Sequence, residues 1–296
     1  MKQLLFFISI LFLLGACDTT NNDSLSYAPA AVKKEFKVYK IGIHPYLNSA
    51  KTYAIYRPLF DYFEEQLPDV QLIIETSSDY ADYEKKLYRG DFDFSLPNPY
   101  QTLQAIEKGY VVIAKMKPDD VFRGIFVARK DSNLKDIQML KHSAVSFPAP
   151  TALAASMMPL MFLHKNGIDT NKDITKKFVG SQYSSILNTY SKDSLVGATW
   201  PPPWELWKKE NPQKAQEMEV VWQTKPLINN SIVVKKDTDK ELVIQMTTLL
   251  LGCHKDIKCK KLLDNAGFDG FAQAQNSDYD VVKDFMQEYN SLFGDD

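Results

Sequence analysis

Phe36-Lys-Val-Tyr-Lys-Ile-Gly-Ile-His-Pro45 alternates polar and apolar side chains and then breaks at a proline. That is the pattern of a strand with a loop at its carboxyl end. Residues 53–66 follow with apolar side chains at helical spacing, Leu59, Phe60 and Phe63 on one side and Pro68 beyond the end. Residues 70–75 read as a second strand, 80–88 as a helix stopped by Gly90, and 92–96 as a third strand broken by Pro97 and Pro99. Residues 99–108 resume as helix and end at Gly109. Strands and helices in alternation predict an α/β layer with a mainly parallel sheet.

The alternation continues with different residues. Strands are expected at 124–129, 144–147, 194–199, 220–223 and 231–235. Helices are expected at 151–165 (stopped by Gly167) and 183–191, and over most of the chain from Lys240 onward. So many short strands would overfill one sheet, so two α/β lobes joined by crossing strands are expected. Residues 36–120 with 228–296 make the first lobe and 121–227 the second.

The chain begins differently. Lys2 precedes the apolar run Leu4 to Leu14, whose eleven residues make roughly 16 Å of helix, about half a bilayer core. That length suits the apolar stretch of a signal peptide over residues 1–16 and is too short for a span. Leu14-Gly-Ala-Cys17 resembles the lipobox of bacterial lipoproteins, which implies cleavage before Cys17 and a diacylglycerol on its thiol. An ordinary secreted protein with a cysteine at the cleavage site is the alternative. Residues 17–35 are small, polar and without period, the composition of a flexible tether. An extracytoplasmic body lipid-anchored to a bacterial cell membrane follows, on the periplasmic face of the inner membrane in a Gram-negative cell.

Such a compartment allows a disulfide between the remaining cysteines, Cys253 and Cys259. One continuous helix would point them too far apart to bond. The bond needs a helix break near Lys255-Asp256; without one the pair stays as two thiols.

With 45% hydrophobic and 24% charged residues the chain is globular in composition, and a net charge of −2 offers nucleic acid no basic footprint. His44, His142, His164 and His254 are scattered without metal spacing and read as surface or capping residues. No phosphate-binding Gly-x-x-x-x-Gly-Lys-Ser/Thr loop is present. Neither an enzyme nor a metal or cofactor is expected.

Several segments resemble one family, the phosphonate/phosphite/phosphate-binding proteins of ABC importers. They are Phe36 to Asn48, Tyr88-Arg-Gly-Asp-Phe-Asp-Phe-Ser-Leu-Pro-Asn-Pro-Tyr100, Ile125 to Ser132, Val145 to Thr151 with Pro159 and Leu163 to Ile168, and Gly267-Phe-Asp-Gly-Phe271 with Asp278-Tyr279. The resemblance implies a two-lobed, type II-like periplasmic-binding-protein fold, each lobe a mainly parallel sheet flanked by helices, with a ligand cleft between. It also implies a monomeric receptor that delivers a small molecule to a permease and its ATPase. A sensor lipoprotein of the same fold is the alternative.

The residues themselves supply a candidate site. Ser146-Phe-Pro-Ala-Pro150 leads from a strand into a helix expected near Thr151, whose free amides could hold an anion; a plain N-cap by Thr151 is the other reading. Tyr46, Asn98, Tyr100, Thr151, Ala152, Gln182, Tyr183 and Trp200 fall at strand ends or helix starts that face the cleft in that fold. Trp200, with Trp204 and Trp207, could instead form a packed corner. The sequence departs from the family pattern at Ala152, Leu153, Gln182 and Leu195, which weakens a phosphonate and specifically an aminophosphonate, while the backbone amides still allow an oxyanion. The aromatic side chains leave room for another organic ligand, such as a quaternary ammonium, sulfonate or carboxylate.

Overall fold

A computed structural model describes residues 35–294. The expected signal peptide, Cys17 and the tether up to residue 34 lie outside those residues, and everything below concerns the unit that begins at Phe36.

The first pass of the chain is Lys37–Ile43 (β1), Ser49–Glu64 (α1), Val70–Glu75 (β2), Tyr80–Arg89 (α2), Phe94–Leu96 (β3), Pro99–Glu107 (α3) and Tyr110–Lys117 (β4). It then enters a second set: Ile125–Arg129 (β5), Ser143–Phe147 (β6), Met158–Lys165 (α4), Ile174–Phe178 (β7), Gln182–Tyr190 (α5), Val196–Thr199 (β8), Pro201–Glu210 (α6), Pro212–Ala215 (α7) and Met218–Gln223 (β9). The return adds Ser231–Lys235 (β10), Lys240–Gly252 (α8), Ile257–Ala266 (α9), Gly270–Ala272 (β11) and Asp280–Phe293 (α10).

Two sheets result, ordered β11-β4-β10-β3-β1-β2 and β7-β6-β8-β5-β9. Each, with its helices, is one lobe. The sheets are mixed where a mainly parallel pairing is expected. β1 pairs in parallel with β2 and β3, and β6 with β7 and β8. The strands next to the two crossings are antiparallel: β10 to β3 and β4, β5 to β8 and β9, and β11 to β4. A chain that leaves a lobe on one strand and returns on its neighbour must run the two in opposite directions. The crossing segments are themselves bonded, Leu227 N to Phe122 O at 2.9 Å and Thr224 N to Gly124 O at 2.8 Å.

Periodicity explains the packing. Along α1, Tyr56, Leu59, Phe60 and Phe63 are buried at helical spacing, and each such side chain contributes about 2 kcal/mol on leaving water. α2 ends where Gly90 adopts the left-handed conformation at φ 76°, which costs glycine little. Gly124 is required by contact, because a Cβ there would lie 2.4 Å from the Ala154 carbonyl oxygen.

The helical stretch after Lys240 is interrupted. α8 gives way to a short 3₁₀ turn at Cys253–Lys255, Asp256 is extended, and its carboxylate caps α9 by accepting from Cys259 N at 2.8 Å. The break brings the Cα atoms of Cys253 and Cys259 to 5.1 Å, and the two are joined in a disulfide.

Candidate functional site

The carboxyl ends of the six parallel strands each lead within a few residues to a helix start. In the first lobe the starts follow β1, β2 and β3, and side chains encoded at the junctions fix them. Asn48 accepts from Lys51 N, Asp79 accepts from Asp82 N, and Asn98 makes a reciprocal capping box with Gln101. In the second lobe they follow β6, β7 and β8, where Ser181 caps α5 and α6 begins with Pro201 after Trp200. Each helix start carries unpaired amides and a partial positive charge.

Contacts between the lobes pair these starts. Asn98, at the head of α3, donates from Nδ2 to the Thr151 carbonyl at 3.0 Å. Gln182, the first residue of α5, donates from Nε2 to the Tyr80 hydroxyl at the head of α2, at 3.2 Å. Tyr46, after β1, meets the Trp200 ring edge-on at 5.9 Å. Tyr80 also packs with Ala149, Ala152 and Ala155. Tyr46, Asn98, Ala152, Gln182 and Trp200 are thus brought together, each under 4% exposed. The Trp200 Nε1 has no hydrogen-bond partner among the described residues. Trp204 and Trp207 stack at 5.5 Å in a separate packed cluster with Ile125, Val127 and Ile186.

The second-lobe helix start differs from expectation. Ala152 N closes a turn onto Ala149 O at 3.2 Å, a wide π-helical turn covers Leu153–Met157, and α4 begins only at Met158. Ser156 and Met157 both donate to the Ala152 carbonyl, at 2.7 and 3.3 Å. Pro159 offers no N–H to the carbonyl four residues back, and the preceding turn widens. Thr151 caps nothing here. Its carbonyl accepts from Asn98 of the first lobe, so it stands at the interlobe seam ahead of the helix.

Tyr100 and Tyr183 lie at the margins. Tyr100 is half-buried and lines a cavity of about 460 Å³ with Gln104, Thr151, Met157, Asp280 and Met286. Tyr183 donates to Glu210 at 2.7 Å, and Glu210 is bonded by Lys51 of α1 at 2.5 Å. The Lys51 ammonium sits 4.8 Å from the Tyr183 ring centre. The three residues clasp the rim of the cleft.

Two residues of the cluster were not expected. His44 is no surface or capping residue: it is 3% exposed, and its Nδ1 lies 2.8 Å from the Leu96 carbonyl. Its ring stands between Tyr46 and Tyr80, at 5.3 and 6.2 Å. The signal available in sequence was its place directly after β1, the strand-end position that also selected Tyr46. Tyr80 read only as the first residue of a helix, and its burial depends on a second lobe that local sequence does not display.

Burial dominates the electrostatics. It pushes the His44 imidazole down to about 4, against a weaker upward pull from the Leu96 hydrogen bond. Burial also raises the phenols of Tyr46 and Tyr80, and that of Tyr56, bonded to Tyr46 at 3.1 Å, goes up to about 12. Desolvation raises the Glu84 carboxyl, while Gln101 and Thr151 pull it back. No lysine or arginine is buried among the described residues. The cleft therefore offers amides, hydroxyls, one neutral imidazole and aromatic faces. No group of three or more metal-binding side chains occurs among the described residues.

Comparison with known proteins agrees with this geometry. The model of one family, described as the periplasmic substrate-binding protein of ABC phosphonate transporters, matches residues 41–279. The probable ABC transporter phosphite-binding protein PhnD1 of Prochlorococcus marinus (strain MIT 9301) is 26% identical over 195 residues, 62% of this chain. That match spans 66% of the relative's own length. A binding protein component of an ABC phosphonate transporter from Pseudomonas aeruginosa superposes with a TM-score of 0.80 at 16% identity, covering 87% of this chain and 88% of that one. PhnD1 of Prochlorococcus marinus in complex with methylphosphonate gives 0.77 at 22% identity, over 86% and 98%. An alkanesulfonate-binding protein from Xanthomonas axonopodis pv. citri gives 0.61 at 13% identity, over 87% and 95%. These structures share the two-lobed fold.

Proposed function

Because the chain belongs to the family of periplasmic substrate-binding proteins of ABC phosphonate transporters, we propose that it captures a small phosphorus oxyanion between its lobes. The observation that carries this reading is the pairing of helix starts across the cleft: α3 with the Thr151 turn, α2 with α5, and the β1 loop with the head of α6. Ligands of open α/β sheets bind outside the carboxyl ends of the strands, and helix-start amides hold anions without a basic side chain. Phosphite, for which the Prochlorococcus marinus relative is named, and methylphosphonate, held in its structure, belong to this class.

In this reading Tyr46, Asn98, Ala152, Gln182 and Trp200 surround the ligand. Thr151 and Tyr100 lie on the path past the seam, and Tyr183 belongs to the rim. Residues 36–120 with 228–296 close against 121–227 as hinged lobes, the crossings near residues 118–124 and 224–230 flexing. Closure makes the surface that a permease and its ATPase read. Cys17 carries the lipid, and the monomeric body works outside the cytoplasmic membrane. The aromatic wall of Tyr46, Tyr80 and Trp200 supports an organic substituent on the ligand.

A thermal-shift and calorimetric panel on the purified protein tests this, with phosphate, phosphite, methylphosphonate, methanesulfonate, acetate and glycine betaine. At least one phosphorus oxyanion raises the melting temperature, and a Gln182→Ala variant loses the shift while staying folded. Failure of every phosphorus compound beside binding of betaine or acetate overturns the reading.

A further inference from the structure

His44 adds a rule of selection to the cleft. A backbone carbonyl only accepts, so the 2.8 Å contact between Nδ1 and Leu96 O places a hydrogen on Nδ1. The ring is deeply buried and meets no carboxylate that would draw a second proton onto it. Nε2 is then a bare lone pair, and no protein group among the described residues donates to it. The neighbouring hydroxyls bond elsewhere: that of Tyr46 pairs with Tyr56, and that of Tyr80 accepts from Gln182 Nε2 across the cleft, which leaves its own hydrogen for a ligand. Between Tyr46 and Tyr80, which themselves touch Trp200 and Ala152 of the other lobe, the imidazole faces the seam where the lobes meet.

Resting on the phosphorus-oxyanion reading above, we propose that the cleft takes its ligand as the singly protonated monoanion, whose hydroxyl donates to His44 Nε2. The charged oxygens of such a ligand accept from helix-start amides, the Gln182 amide and the Tyr80 hydroxyl. Its one P–OH finds its acceptor at that nitrogen. A dianion would set an oxygen lone pair against the Nε2 lone pair and bring a second charge to a site without a buried lysine or arginine. A sulfonate has the right charge and no hydroxyl, so it leaves the acceptor unpaired.

The titratable groups around His44 are few. Tyr46, Tyr56 and Tyr80 stay protonated throughout the neutral range. Glu84 of α2 faces Gln101 and Thr151, and it is the group whose own titration could imitate the effect. A Glu84→Gln variant separates the two.

The experiment is calorimetric titration of the full-length protein with methylphosphonate, phosphite and methanesulfonate from about pH 6 to 8.5. Affinity for each phosphorus compound is expected to fall about tenfold per pH unit above that compound's second ionisation, as its monoanion disappears. Methanesulfonate is expected to bind about tenfold or more weakly at pH 6 and to show no such fall. Glu84→Gln keeps the profile, whereas His44→Gln flattens it. Affinity that holds or rises through the second ionisation overturns the monoanion rule and leaves the oxyanion reading standing. Absence of binding by both phosphorus compounds at every pH overturns the oxyanion reading itself.

Discussion

Burial of the His44 ring has a cost that appears on acidification even without ligand. Its folded-state pKa is pushed from 6.5 to about 4, chiefly by desolvation. The folded protein therefore binds fewer protons than the unfolded chain between those values, and stability rises with pH across that window. The contribution is complete above the ordinary histidine value and is lost as pH falls toward 4, about 3 kcal/mol in all. Urea unfolding at steps from pH 7 to 4 is expected to show this loss, and His44→Gln to remove most of it; superimposable pH curves for the two proteins would falsify the assignment. Asn98 offers a second test, because it caps α3 through Oδ1 and reaches Thr151 through Nδ2. Asn98→Ala is expected to lower stability by about 1–2 kcal/mol. Asn98→Asp keeps the cap acceptor and loses only the bond across the lobes, so it should cost less stability than alanine while weakening ligand binding. Equal melting points for the two variants would sink this division of roles. Residues such as Asn98 and Gln182 were picked out in sequence through the family resemblance, which places their segments at the cleft. His44 and Tyr80 were not, since their neighbours come from distant segments: Leu96 and Tyr80 enclose His44, and Ala149, Ala152, Ala155 and Gln182 of the second lobe enclose Tyr80.

Elements were legible where one strong local signal decided them. β2 and β10 fall at residues 70–75 and 231–235 as their apolar runs predict. β7 has the sequence Ile-Thr-Lys-Lys-Phe and lies at the edge of its sheet, where lysines stay in water and leave no apolar pattern to read. β4 carries a clean alternation, buried at Tyr110, Val112, Ala114 and Met116, and is a strand that the expected elements did not include. β11 is three residues long and exists only because β4 offers it an edge. The break between α8 and α9 was stated in sequence only as a condition for a disulfide; Asp256 supplies it by capping α9. Closing so short a loop restricts the unfolded chain by about 2 kcal/mol. Cys253→Ser with Cys259→Ser is expected to lose about that much in denaturant, and a thiol reductant to lower the wild-type melting point while leaving the variant unmoved. A reductant effect of equal size on both would show that the stabilisation lies elsewhere.

Across the whole molecule, the two lobes are joined by contacts that no single lobe contains. The inner ones, Asn98 to Thr151 and Gln182 to Tyr80, are neutral, the first partly and the second fully buried. The rim is charged: Lys51 of the first lobe bonds Glu210 of the second, and Tyr183 donates to the same carboxylate. Burial works against that carboxylate, but Lys51 and Tyr183 together hold it below its usual pKa. The clasp is therefore intact at neutral pH and is lost as acid protonates Glu210 below the ordinary carboxylate range. Both side chains are about one-third exposed, so solvent screens the pair and its worth is about 0.5–1 kcal/mol. If the clasp forms only when the lobes meet, its loss appears in ligand release and hardly at all in capture. Lys51→Met is then expected to raise the dissociation rate two- to fivefold and to leave the association rate nearly unchanged. Raising the ionic strength should speed release from the wild type and have less effect on the variant. Stopped-flow release of whichever phosphorus oxyanion binds best reads both rates. A Lys51→Met protein that loses association rate and keeps its dissociation rate would mean that Lys51 steers the incoming anion and does not hold the lobes shut.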